Sequence, residues 1–363
     1  MDDLFGESDT EMSLDSVSSE DANLTLVKTL IKYVVILLLG YCSASAGVVS
    51  SQFSEVLNKC MTYVSMPVLL FSTIAVLDLS AVNYKVLFVI LISRSFVFLV
   101  ALVTPKLLLA FRNNALAGGM FAILATQGND FAFGAPIIKM LFPSSMSEEV
   151  DYSAYCFLAA PIQLALLNPI AMLILAWGAA IEQGATLHWK VMLAILREIA
   201  CNPAVFTVFL GLAWNYFFGP QLPGVVSPVL SLVGGTFTPL ALFLMGSTCV
   251  SSLANLQARE LTYPMLLAFY KVVMLPVCAR LLAQLLLASE DEAGGEGAEG
   301  QHADFLDFSY IFGSLPTAVG VPQALAYHYN APEVCAEVSV LWLRAASAMR
   351  FRRAGHIRAL PAR

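Results

Sequence analysis

The chain has 363 residues, of which 58% are hydrophobic and only 12% charged, and its mean hydropathy is +0.76. A soluble domain carries roughly 25% charged residues, so the composition excludes a soluble protein and points to a polytopic membrane protein. The net charge of −7 leaves no footprint for nucleic acid, because the acids gather in the N-terminal tail and one late loop rather than being replaced by a basic binding face.

Residues 1–22 are rich in Asp, Glu and Ser and are expected to be disordered. They have no basic n-region, so no cleavable signal peptide is expected, and the first apolar run would act as an uncleaved insertion signal. Apolar runs follow at about 25–46, 56–77, 83–109, 115–142, 153–181, 191–217, 227–250, 261–288 and 305–329. Each is near the roughly 20 residues that a bilayer needs, which predicts nine spans. Residues 289–304, SEDEAGGEGAEGQHAD, read as a flexible acidic loop. A tenth span would begin near Val334, but only VSVLWL stays apolar before Arg344, and the basic end 339–363 cannot span. The tenth helix is therefore expected to be lost.

Lys59, Lys106, Arg112, Lys190 and Arg259 fall on one set of connections, while the alternate set holds Lys85 and Lys139 and otherwise Glu148, Glu149, Asp151 and the acidic loop. By the positive-inside bias, the first set is cytoplasmic and the N-terminus is lumenal or extracellular.

The fourth run is interrupted. In FAILATQGNDFAFGAPIIKMLF, the apolar ends flank Thr126-Gln127-Gly128-Asn129-Asp130, and Gly134 and Pro136 are expected to break the helix. Backbone groups freed at membrane depth must find partners in protein, water or ligand. The ninth run carries Pro316, Thr317, Gly320 and Pro322, a second expected break without charge. The halves also match one another. Met66-Pro67 with its apolar sequel resembles Thr238-Pro239 at a separation of 172, and Gly134-Ala135-Pro136 resembles Gly320-Val321-Pro322 at 186. The difference of 14 is close to the length of the acidic loop. Two five-span halves have opposite topology, so the expectation is an inverted five-plus-five repeat with broken crossover helices 4 and 9, a pattern of secondary transporters.

Asp130 is the sharpest site residue, because a carboxylate deep in a bilayer costs roughly 2.5–3.5 kcal/mol on insertion scales. It reads either as a coupling or substrate-pairing group, or as half of a structural ion pair with Lys271 or Arg94. Gln127 and Asn129 could bind a substrate carboxylate or cap the half-helix, and Thr126 could bond its own backbone. Thr317 and Gly320 are the matching substrate-binding residues in span 9, with Gly134, Pro136, Pro316 and Pro322 shaping the crossover. Lys271 lies mid-span and could pair with Asp130, bind an anion or snorkel to the interface; Arg94 and Arg280 are expected to snorkel. Asn168-Pro169 and Asn202-Pro203 read as kinks or helix starts. The seven scattered cysteines and four histidines make no metal-ligand spacing, and no phosphate-binding loop, GxSxG or HExxH is present. No catalytic residue, metal or cofactor is expected, and the chain is not read as an enzyme.

At Ala125-Thr126-Gln127-Gly128-Asn129-Asp130-Phe131-Ala132-Phe133-Gly134-Ala135-Pro136-Ile137 the chain resembles the auxin efflux carrier (PIN-like) membrane transport family. Asn168-Pro169-Ile170, Asn202-Pro203 with Phe206, and Lys271 with Leu275-Pro276 and Arg280 support the likeness, which runs over about 26–338 within a transporter domain taken as 23–338. The resemblance implies a lipid-embedded carrier of a small organic anion such as an auxin-like indole acid, with Asn129, Pro136 and Pro322 framing the site. It also implies a homodimer. It is closest to animal-type members that join such a domain to a receptor-like half and that are linked to sterol and to the lysosome. The alternatives are thus a sterol-sensing endomembrane protein with a transporter fold, or a non-functional fragment of one.

Overall fold

The computed structural model describes residues 7–109, 114–142, 151–182, 184, 189–253, 262–288 and 298–317. Gly320, Pro322, most of the acidic loop, the start of a tenth span and the basic tail lie outside the described residues. All regular structure among those described is helical. Among the described residues, five helices are long and apolar enough to cross a membrane: Val27–Ser45, Tyr84–Leu107, Ala154–Ile181, Val226–Thr248 and Met265–Ala288. The other expected spans are shorter, interrupted or less apolar. The chain is an all-α polytopic membrane protein.

The first helix, α1 (Glu7–Ser45), starts well inside the stretch expected to be disordered. Extending an existing helix is far easier than nucleating one, and the apolar run from Val27 supplies the nucleus. Helix starts further along follow their capping residues. Ser50 Oγ accepts from Phe53 N ahead of α2 (Ser51–Cys60), and Asn83 Oδ1 accepts from Lys85 N at the start of α4 (Tyr84–Thr104). The expected sixth span is two helices, α9 (Trp189–Ala200) and α10 (Pro203–Phe218). Asn202 caps the second through Ala204 N at 2.9 Å, and Pro203 takes its first position, where a missing N–H costs nothing.

Proline has a recurring local consequence here. The segments Met61–Ser65, Asp130–Gly134, Ile162–Leu167 and Tyr270–Met274 are π-helical turns, and each runs directly into an x-Pro pair: Met66-Pro67, Ala135-Pro136, Asn168-Pro169 and Leu275-Pro276. Proline cannot donate to the carbonyl four residues back and clashes with it. A widened turn just before the ring absorbs both problems and lets the helix continue. The four prolines open α3 (Met66–Ala75), α6 (Ala135–Leu141), α8 (Asn168–Glu182) and α14 (Leu275–Ala288), the last two following α7 (Ala154–Leu158) and α13 (Thr262–Phe269) across their widened turns.

Two groups of helices result. In one, α1 packs on α12 (Phe237–Leu253), while α3 packs on α10 and on α11 (Val226–Gly235). In the other, α4 packs on α5 (Asn114–Thr126), on α14 and on α15 (Ala298–Gly313), and α5 packs on α8. Each group draws on both halves of the chain. The α1–α12 contact is close because it is made through glycines: a Cβ on Gly40 would stand 2.1 Å from Phe243 O, and one on Gly246 would stand 1.9 Å from Leu37 O. Backbone-to-backbone approach of this kind is how membrane helices gain contact without an added hydrophobic drive.

Within the first group, the buried Asn215 on α10 donates from Nδ2 to the carbonyls of Ile74, Ala75 and Leu77 at 3.3, 3.1 and 2.6 Å. These carbonyls lie at and just past the end of α3, where intrahelical donors run out, and Ile74 O also accepts from Leu77 N at 3.3 Å. Asn215→Leu removes the donor and leaves those acceptors buried, and it is expected to cost about 1–3 kcal/mol, read as a lower unfolding temperature of the purified protein. A stability equal to wild type would show that this cap is dispensable.

Candidate functional site

The fourth span breaks at Gln127–Asn129, between the end of α5 and the π-helical turn Asp130–Gly134. This corrects the expected position at Gly134 and Pro136. Gly134 closes the widened turn and Pro136 sits in the first turn of α6, where proline is tolerated. The chain leaves the helix earlier because Asn129 caps the restart. Its Oδ1 accepts from Ala132 N at 3.4 Å, while its carbonyl accepts from Phe133 N and Gly134 N at 3.2 and 3.1 Å.

In the ninth expected span, α15 ends at Gly313, and the described stretch that follows it, Ser314–Thr317, meets the break of the fourth. Asn129 N donates to Pro316 O at 2.7 Å, Thr317 Oγ1 donates to Leu124 O at 3.1 Å, and Gly128 and Thr317 form an antiparallel bridge. The backbone groups freed by one break are thus satisfied by the other, as membrane depth requires. Of the sequence-predicted residues, Gln127, Asn129, Asp130, Gly134, Pro316 and Thr317 meet here. Gly134 is needed for the approach, since a Cβ there would lie 2.6 Å from the Leu315 side chain. The turn also faces the other helix group through Phe131, edge-on to Phe237 at 6.2 Å, and Phe133, edge-on to Tyr33 of α1 at 5.7 Å.

Asp130 is buried and paired with Arg94. Nη2 of Arg94 donates to both carboxylate oxygens at 2.9 and 2.8 Å, and the guanidinium carbon stands 4.7 Å from the centre of the Phe312 ring on α15. Arg94 is only 2% exposed, so the expectation that it snorkels is wrong. It lies mid-span on α4, too far along the helix to reach an interface while a carboxylate is at hand. Arg280, by contrast, is partly exposed and pairs with Asp307 at 3.0 Å. Lys271 is also buried rather than snorkelling, at 6% exposure, and lies within electrostatic reach of both Arg94 and Asp130. Gly128 keeps the carboxylate in place by having no side chain, since a Cβ would stand 2.2 Å from Asp130 Oδ1.

Two polar atoms at the site have no protein partner among the described residues, Arg94 Nη1 and Gln127 Oε1. Thr126, at 0% exposure, bonds its own helix through Ala122 O at 2.8 Å. Sequence reasoning missed the hydroxyl pair of Thr104 and Tyr270, buried between α4 and the turn that carries Lys271. It also missed Gln163, whose Nε2 donates to Asn168 Oδ1 at 2.7 Å across its own π-helical turn. Intramembrane Gln and Tyr were the available signals for both. Among the described residues, no cluster of His, Cys, Asp and Glu could hold a metal ion.

A membrane helix interrupted beside a buried ion pair is a feature that many solute carriers share. The model of a family described as membrane transport protein matches residues 25–350. The chain belongs to that family. The family is one of transporters rather than enzymes. The mouse (Mus musculus) protein described as lysosomal cholesterol signaling protein is 30% identical over 289 residues, which are 79% of this chain and 32% of that protein. The chain thus spans about a third of that relative's length.

Proposed function

We propose that the chain is a secondary transporter of a small organic anion, with auxin-like indole acids as the substrate class, working by alternating access around the two crossed breaks. The observation that carries the reading is the crossing itself. Gly128 and Asn129 of the fourth-span break bond Pro316 and Thr317 after α15, and the adjoining Asp130 is buried and paired with Arg94, which supports a polar site at this contact between the two halves. In this reading the halves are an inverted repeat, Gln127, Asn129, Thr317 and Gly320 contact substrate, and the N-terminus lies on the lumenal or extracellular side.

Reconstituted into proteoliposomes, the protein is expected to take up labelled indole-3-acetate or a related acid saturably. Asn129→Ala, which removes both a capping acceptor and an amide donor at the break, is expected to lower uptake tenfold or more. Uptake unchanged by Asn129→Ala would refute the assigned site.

The mouse relative motivates a second reading, in which the chain keeps the transporter fold as a sterol sensor of an endomembrane such as the lysosomal one. That reading predicts saturable sterol photo-crosslinking and no solute flux, so flux without sterol labelling excludes it.

A further inference from the structure

Arg94, Asp130 and Lys271 are the three charged side chains buried among the described residues; Arg94 and Asp130 are paired beside the break, and Lys271 lies within electrostatic reach of both. Two are cationic and one is anionic. Both Asp130 oxygens are engaged by a single nitrogen of Arg94, so the carboxylate neutralises the guanidinium that grips it. Lys271 makes no hydrogen bond or ion pair among the described residues. It projects from the widened turn Tyr270–Met274 that Pro276 imposes, and that turn packs on α4 and α5. The other titratable group of the turn, Tyr270, is bound to Thr104. The cluster is therefore left with one cation in excess, in surroundings where an uncompensated charge is costly.

Arg94 can offer little more to a ligand. Its free Nη1 belongs to a residue lining a cavity of about 10 Å³ between Ser93, Ser309, Phe312 and Leu275. That is room for a single water, not for an organic acid. Ser93 and Ser309 donate to their own helices, to Val89 O and Phe305 O, which leaves their lone pairs to such a water.

We infer that Lys271 sets the charge of the ligand: the site is built to be completed by a single negative charge, with Lys271 as its counter-ion. Arg94 and Asp130 then act as a fixed internal pair that positions the break. This rests on the transport reading above and assigns the selectivity of that same site to one residue.

The test is equilibrium binding to the purified full chain, using a panel of labelled aryl and alkyl monocarboxylates that includes indole-3-acetate, each beside its neutral amide. Wild type is expected to prefer at least one acid over its amide by tenfold or more. Lys271→Gln should erase that preference, leaving the acid bound no better than the amide, and Lys271→Arg should retain it. Because Lys271→Gln removes an uncompensated buried cation, its unfolding temperature should equal or exceed that of wild type. A Lys271→Gln protein that still prefers the acid overturns the inference and leaves the transport reading standing. So does one that fails to fold, since Lys271 would then be structural. Wild type that binds no member of the panel overturns the anion reading itself, and the inference with it.

Discussion

Asp130→Ala is expected to be the most damaging single substitution in the protein, at about 3–5 kcal/mol of stability, the usual consequence of removing one partner from a buried ion pair. The reason is the charge count around it. With the carboxylate gone, Arg94 at 2% exposure and Lys271 at 6% are left as two like charges in one buried site. Arg94→Met alone should be milder, because Asp130 still has Lys271 within electrostatic reach. The double variant Arg94→Met/Asp130→Leu should recover most of the loss, since replacing both partners by apolar groups is often neutral. Unfolding midpoints of the four proteins in one detergent decide it. An Asp130→Ala protein as stable as wild type, or a double variant no better than Asp130→Ala, would show that the pair is not the keystone of the crossing.

The second large effect lies far from the site. Gly40→Ala and Gly246→Ala each place a methyl group about 2 Å from a backbone carbonyl of the facing helix, at 2.1 Å from Phe243 O and 1.9 Å from Leu37 O. Neither carbonyl can move aside as a flexible side chain could, so α1 and α12 must separate. Overpacking of this kind costs typically about 1–3 kcal/mol. Both substitutions open the same gap, so the double variant should cost less than the sum of the two. The check is the unfolding midpoint of the three variants. Gly47→Ala cannot serve as a neutral control, because Gly47 has φ +75°, whereas Gly235→Ala can, since nothing lies within 4 Å of its Cβ position. Variants at Gly40 and Gly246 that match Gly235→Ala would refute the packing argument.

Much of this was legible in the residues. The apolar runs gave the helices, because a bilayer demands length and hydropathy that few other environments do. The polar run from Thr126 to Asp130 marked the break, because membrane helices carry such residues only where something answers them. The cause of the break was not legible. Gly134 and Pro136 looked like its cause, yet the chain absorbs Pro136 in a widened turn and breaks at Asn129, whose side chain can cap the restart. The choice of Arg94 over Lys271 as the partner of Asp130 depends on how α4, α5 and α14 pack, which no local pattern encodes. The same holds for Gly40 and Gly246, which are unremarkable along the sequence and decisive only where two distant helices meet. Asn215 is a similar case, a polar residue in an apolar helix whose three acceptors lie some 140 positions away.

The central claim is that the crossed breaks form a site that carries an organic anion across the membrane by alternating access. Counterflow tests it most directly. Proteoliposomes preloaded with unlabelled indole-3-acetate, or another acid from the binding panel, are placed in tracer amounts of the labelled compound. An alternating-access carrier predicts a transient accumulation of label above equilibrium, seen with wild type and lost with Asn129→Ala. Label that only equilibrates, or never enters for any acid in the panel, would contradict the account.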